Sequence, residues 1–338
     1  MRRLLHTVSQ PETLMKGILL RLFFVTFFLF NGALYATERY GAIEIGGKGV
    51  KAYAIEMDEN KTTLIYRDAK NITPQNGIQK EGNMDKGMIA LISTNALFLK
   101  NNLMRHQHID EKNIFIIASS AINKVHNKNE LSNSIQNIAQ QKLYYIDEKE
   151  ESLYGFYGVV PKAQWKSAAM MDIGGGNTKV AWFSKSNNDL DFFEIPLGTA
   201  SLSKAVESKS GQEHFQETCQ IIAFQAAQTT PKITLLADIE TLYVSGGVFW
   251  ATAYLKTNRQ VTPIVTLEKI DFSNIRTHLE DTEKDKIQHF VQSSYGTQNI
   301  IAGSILAEVI IEKMGFFEKK IYFAKDGAWV IGWLLFRK

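Results

Sequence analysis

The pattern of apolar and polar stretches along this chain repeats itself. Residues 40–45 form an apolar run that ends in Glu44-Ile45-Gly46-Gly47-Lys48-Gly49, and a second run covers 50–56. The same phrase returns as residues 168–172, then Asp172-Ile173-Gly174-Gly175-Gly176-Asn177, then 178–183. Apolar runs on either side of a glycine break predict two tight β-hairpins. A third apolar run trails each hairpin, at 63–66 and at 192–195, with helical and strand-like stretches after it. Self-similarity over this distance is a fold-level signal and predicts a duplicated unit.

Between the hairpins, Met88, Leu91, Ile92, Ala96 and Leu99 keep helical spacing, which predicts a helix packing one face on a sheet. Residues 114–118 read as a strand running into Ser119-Ser120-Ala121-Ile122-Asn123-Lys124. Small hydroxylated residues at the carboxyl end of a parallel strand either face a ligand or cap a helix, and the sequence leaves both open. After a short strand at 144–146, Asp147 opens a helix with acids crowded into its first turn, where the helix dipole favours them. That accounts for Glu148 and Glu150. Glu151, followed by Tyr154, Gly155 and Gly158 at helical spacing, falls on the inward face and is the candidate general base.

Glycines in the two turns permit positive φ and let the backbone approach a ligand, so that consecutive N–H groups converge on an anion. A carboxylate at the strand end, Glu44 or Asp172, is suited to hold a metal ion or a water against that anion. Two such turns facing each other would form a phosphate clamp.

Composition is that of a globular protein, 45% hydrophobic and 22% charged, with length enough for two domains. The N-terminus differs. Residues 22–30 are almost wholly apolar, preceded by Lys16 and Arg21 and followed by Asn31-Gly32-Ala33-Leu34-Tyr35-Ala36, the three regions of a secretory signal. The expectation is a signal peptide over residues 1–36, cleaved after Ala36, and an exported, periplasmic protein without a stable membrane partner. The alternative is an uncleaved anchor over residues 18–35, and Met15 offers a second start. Removing residues 1–36 takes the formal charge from +3 to about zero, and no basic stripe points to a nucleic-acid duplex. Cys219 is the sole cysteine, which excludes an internal disulfide and leaves a thiol nucleophile without supporting neighbours. His106-Gln107-His108 with Asp110 reads as surface loop at a helix end.

The order of these motifs resembles the exopolyphosphatase/guanosine pentaphosphate phosphohydrolase (Ppx/GppA) family, within the actin, sugar-kinase and heat-shock-chaperone superfamily. The two glycine phrases resemble its first and second phosphate loops, the second extended by Thr178-Lys179. Ala118-Ser119-Ser120-Ala121-Ile122-Asn123 resembles its Ala-Thr-Ser-Ala-x-Arg segment, and Glu148-Lys149-Glu150-Glu151-Ser152 its Gly-x-Glu-Glu-Ala helix start. Pro196-Leu197-Gly198, Ser245-Gly246-Gly247, Ala302-Gly303-Ser304-Ile305-Leu306 and the stretch from Asp326-Gly327 to Gly332 continue the likeness.

The resemblance implies two α/β domains of ribonuclease-H-like topology (actin-like ATPase), residues 37–162 and 163–338, each with a mixed five-stranded sheet and an interdomain cleft. The last helix, 326–337, would pack back on the first domain. It implies release of a terminal phosphate from polyphosphate or a phosphorylated nucleotide, with Mg²⁺ held by Glu44 and Asp172 and water oriented by Glu151. Substrate contacts would come from Gly46, Gly47, Lys48, Gly49, Ser119, Asn123, Gly174, Gly175, Gly176, Asn177, Thr178, Lys179, Ser245, Gly246 and Gly247. A homodimer is a further expectation. Three departures matter: Asn123 stands where the family has arginine, Lys179 where it has glutamate, and Glu44 where it has aspartate. The first removes a bidentate phosphate donor, for which Lys48 and Lys51 could substitute. These departures keep open a second class, a phosphate- or polyphosphate-binding sensor with weakened turnover.

Overall fold

The computed structural model describes residues 37–57, 62–70, 72–184, 189–210, 214–230, 236, 239–281, 285–325 and 327–337. The export segment expected over residues 1–36, and Asp326 at the expected start of the last helix, lie outside the described residues.

The first sheet has the order β3-β2-β1-β4-β5, with β1 (Glu38–Gly46), β2 (Gly49–Met57), β3 (Thr62–Lys70), β4 (Ile114–Ala118) and β5 (Leu143–Tyr145). β1, β2 and β3 form an antiparallel meander, and β4 and β5 add parallel to β1. The second sheet repeats this plan with β6 (Ala168–Ile173), β7 (Thr178–Ser184), β8 (Asp189–Ile195), β9 (Thr241–Ser245) and β11 (Lys320–Ala324). It also carries a sixth strand, β10 (Ile264–Leu267), antiparallel on the edge of β11, where five strands were expected. β10 buries Val265 and Leu267 and turns Ile264 and Thr266 outward. A four-residue alternation directly after Pro263 is too short for its period to stand out in sequence.

Both predicted hairpins form, with Gly46 opposite Gly49 and Ile173 opposite Thr178. Their backbone departs from expectation: no residue of 46–49 or 174–177 has positive φ. The glycines answer to space instead, as the site geometry makes plain. The helix Lys86–Gln107 covers the first sheet through Ile89, Ile92, Ala96, Leu99 and Leu103. Leu91, expected on that face, is 44% exposed, because it lies two residues from Ile89 and so about 200° around the helix.

Two helices cross between the halves of the chain. The helix Glu148–Val159 follows the first sheet in sequence but packs on the second, where Phe156 and Val159 meet Met170, Ala181 and Tyr243. The helix Trp329–Leu335 closes the chain and packs on the first sheet, where Val330, Trp333 and Leu334 meet Ala42, Tyr53, Ile55 and Ile117. They touch at glycines: a Cβ on Gly158 would lie 2.1 Å from the Ala328 carbonyl oxygen, and one on Gly332 1.9 Å from that of Tyr154. Backbone-to-backbone contact of this kind requires the missing side chain. Each sheet is therefore covered on one face by a helix from the other half, and the candidate site lies on those faces.

Candidate phosphate site

Each hairpin sets an acid directly opposite a lysine. Glu44 on β1 faces Lys51 on β2, and Asp172 on β6 faces Lys179 on β7. Alternation along the strands puts Glu44, Lys51 and Tyr53 on the face of Ala42 and Ile55, and Asp172 and Lys179 on the face of Met170 and Ala181.

In the first hairpin the Lys51 ammonium donates to Glu44 Oε1 at 3.1 Å and the Tyr53 hydroxyl donates to Oε2 at 2.9 Å. Burial alone would lower the pKa of Lys51, but the Glu44 carboxylate reverses the direction and holds it above its ordinary value. The Tyr53 hydroxyl is pushed up to about 12, first by burial and then by the charge of Glu44. Arg67, opposite Tyr53 on β3, places its guanidinium 5.7 Å from the centre of that ring.

The second hairpin distributes its charges differently. Asp172 Oδ1 accepts from the Ser245 hydroxyl at 2.7 Å, while the Lys179 ammonium reaches Glu151 Oε1 at 2.9 Å. Glu151 Oε2 accepts from the Ser120 backbone N–H at 2.9 Å. The rest of that helix start behaves as its acids suggest: Asp147 and Glu150 form a capping box, and Glu148 pairs with Lys124. Burial raises the Asp172 pKa above its ordinary 3.8, against the opposing Ser245 hydrogen bond and the nearby Lys179 charge.

The two turns face each other. A Cβ on Gly175 would come 2.2 Å from Lys48 Cε, so the Lys48 side chain reaches from the first turn across to the second. Enclosure of its end there, and the charge of Lys51, lower the Lys48 pKa. A Cβ on Gly46 would lie 2.9 Å from Glu44 Oε1, and the Gly47 carbonyl accepts from the Gln75 N–H at 3.0 Å. The carbonyls of the second turn point into the next helix, Thr199–Ser210: Gly174 O accepts from Thr199 N, and Gly175 O from the N–H groups of Ala200 and Ser201, each at 2.9 Å. The Gly175 and Gly176 amides have no partner among the described residues, and a Cβ on Gly176 would meet nothing within 4 Å. Gly246 has φ +110°, and a Cβ on it would lie 2.4 Å from the Ile173 carbonyl oxygen, so the third glycine turn packs closely on the end of β6. Gly247 lies against the ring of Tyr295, whose hydroxyl is raised by burial and lowered in turn by Arg67 and Lys51 from the first half.

The geometry thus brings together Glu44, Gly46, Gly47, Lys48, Glu151, Asp172, Gly174, Gly175, Gly176, Lys179, Ser245 and Gly246, with Gly49 closing the first turn and Gly247 backing the third. Ser119 lies at the end of β4, buried, and its hydroxyl has no partner among the described residues. Three expected contacts are engaged elsewhere. Thr178 is fully buried and donates to the Leu197 carbonyl at 2.8 Å. The Asn123 amide donates to the Ile146 carbonyl at 3.1 Å and accepts from Lys128 at 2.9 Å. The Asn177 amide donates to Glu194 at 2.9 Å, leaving its backbone to shape the turn. Tyr53, Arg67 and Tyr295 were not legible as site residues. Of these only Tyr53 carried a weak signal, since Lys51 and Tyr53 alternate on β2 beside the glycine turn.

The carboxylates fit a divalent metal poorly. Both oxygens of Glu44, both of Glu151 and Oδ1 of Asp172 already have protein donors. Among the described residues, no group of three or more His, Cys, Asp or Glu side chains is arranged to hold a metal ion. His106 and His108 are exposed at a helix end, as read from sequence.

Duplicated sheets of this order, each opening on a glycine hairpin, define a two-sheet α/β fold of the actin-like kind. The chain belongs to the Ppx/GppA phosphatase family, whose model matches residues 55–304. The structure resembles that of the Ppx/GppA family member from Aquifex aeolicus, with a TM-score of 0.69 at 16% identity over 88% of this chain and 96% of that one. It also resembles an exopolyphosphatase from Cytophaga hutchinsonii (0.66, 15% identity, 88% and 97% covered). A nucleoside triphosphate hydrolase structure from Neospora caninum shares the fold at 0.57 and 10% identity, covering 97% and 96%. Among curated proteins, yeast (Saccharomyces cerevisiae) retrograde regulation protein 2 is 22% identical over 113 residues, 32% of this chain. The chain spans 19% of that relative's length.

Proposed function

We propose that this chain binds the end of a polyphosphate or phosphorylated nucleotide between its glycine turns and hydrolyses the terminal phosphoanhydride. The observation that carries this reading is the approach of Lys48 to Gly175, which sets a cation from the first turn against the unpartnered Gly175 and Gly176 amides of the second. Gly176 offers open space for a phosphoryl oxygen. Lys179 has three N–H donors. A phosphate oxygen arriving beside it competes for the ammonium and frees Glu151 Oε1 to accept from water. The water oxygen then bonds the terminal phosphorus as the bridging P–O bond breaks. The electron pair leaves with the shortened chain, and the water's proton passes to Glu151. Positioning and electrostatics suffice for such transfer without a covalent intermediate. The signal read in residues 1–36 supports action outside the cytoplasm, which fractionation of the tagged protein would check.

Phosphate release from long-chain polyphosphate tests this directly. The wild type should release phosphate and Glu151→Gln should lose activity by about two orders of magnitude or more, the range for removing a general base. A second reading, binding without turnover, draws on the protein donors that already engage both Glu151 oxygens. It predicts tight binding with no release from either protein.

A further inference from the structure

Across the three acids at the cleft, Glu44, Glu151 and Asp172, five of six carboxylate oxygens accept from protein groups, two of them from lysine ammoniums. The single oxygen without a donor among the described residues, Asp172 Oδ2, sits on the residue directly opposite Lys179. A dication there would have to enter beside a buried ammonium or displace it. Displacement strands a lysine that is only 4% exposed, and a buried charge left without its partner is strongly unfavourable. In the first half a lysine likewise engages a carboxylate, Lys51 on its own cross-strand acid Glu44. Both lysines stand at the same step of the duplicated hairpin, seven residues after the acid.

An ammonium is a compact, strongly hydrated point charge that binds phosphate as well as carboxylate. We propose that in this chain Lys51 and Lys179 stand in for a divalent cation, so that the cleft takes its phosphate ligand without metal. This rests on the phosphate-binding reading above. With Lys48 alongside, the ligand meets three fixed or tethered ammoniums. Each is supplied by a glycine hairpin or the strand that follows it.

The test is calorimetric titration of the purified protein with tripolyphosphate, once in EDTA and once with excess Mg²⁺, joined to a Mn²⁺ titration followed by electron paramagnetic resonance. The inference predicts binding in EDTA at least as tight as with Mg²⁺, and a free-Mn²⁺ signal that the protein does not attenuate. Lys179→Glu, which puts a third carboxylate beside Asp172 and Glu151, should begin to attenuate that signal. Binding at least tenfold weaker in EDTA, or Mn²⁺ capture by the wild type, would overturn the inference while leaving the phosphate reading intact. Absence of binding under both conditions would overturn the phosphate reading and this inference with it.

Discussion

Glu44 and Asp172 hold equivalent places in the two hairpins, yet their charges are balanced by different means. Glu44 has a lysine and a tyrosine of its own, whereas the lysine opposite Asp172 is drawn away to Glu151. Asp172 is left with a serine hydroxyl, and burial raises its pKa. Between the unfolded value near 3.8 and the raised folded value, the folded protein keeps a proton that the unfolded chain has lost. Stability contributed by this group is therefore present below that window and lost as pH rises through it. Asp172→Asn should remove this loss, so the stability difference between variant and wild type grows in favour of the variant across the window and then levels. Urea unfolding from pH 4 to pH 8 measures it, and parallel curves would refute the assignment. The residues on either side of this balance were visible in sequence, but the pairing was not. Lys179 reads as a departure from the family glutamate; that it meets Glu151 depends on a helix crossing from one half of the molecule to the other.

At the scale of elements, that crossing is the feature on which the site depends. The helix Glu148–Val159 carries Glu151 to the second sheet, and its close contact with Trp329–Leu335 requires Gly158 and Gly332. Gly158→Ala and Gly332→Ala should each destabilise by about 1–3 kcal/mol, as overpacking does. Their effects should fall short of additive when combined, since one separation of the helices relieves both clashes. Thermal or urea unfolding of the two single variants and the double variant checks this. Simple additivity would mean the two glycines serve separate contacts. The hairpins and the inward face of the Glu151 helix were legible because short-range periodicity fixes them. Less of the sequence's periodicity reports on edges: β10 is four residues long, and Leu91 lies on the outer side of its helix despite an apolar side chain. The glycines of the turns were legible by position but not by cause, because the backbone there avoids positive φ, and Gly46, Gly47 and Gly175 serve close approach while Gly176 borders open space.

For the whole molecule, the account holds that two duplicated halves bring their glycine turns to one ligand. The family supports phosphate chemistry, and Lys48 reaches from the first turn to Gly175 of the second, which joins the two halves at the candidate site. Closure over a ligand would exclude water and strengthen those interactions. The most direct test is the dissociation constant for linear polyphosphate of the wild type beside Gly47→Ala and Gly176→Ala. Gly176 has open space around its Cβ position, and a Cβ on Gly47 would be tight only against Gln75 Oε1, the flexible end of that side chain, with Gln75 Cβ and Ala121 Cβ at ordinary contact, so both variants should fold and melt as the wild type does. The account predicts that each weakens binding by about tenfold or more, equivalent to roughly 1.4 kcal/mol, because a methyl group enters the space a phosphoryl oxygen needs. Unchanged affinity in both variants would mean that the ligand does not lie between the two turns.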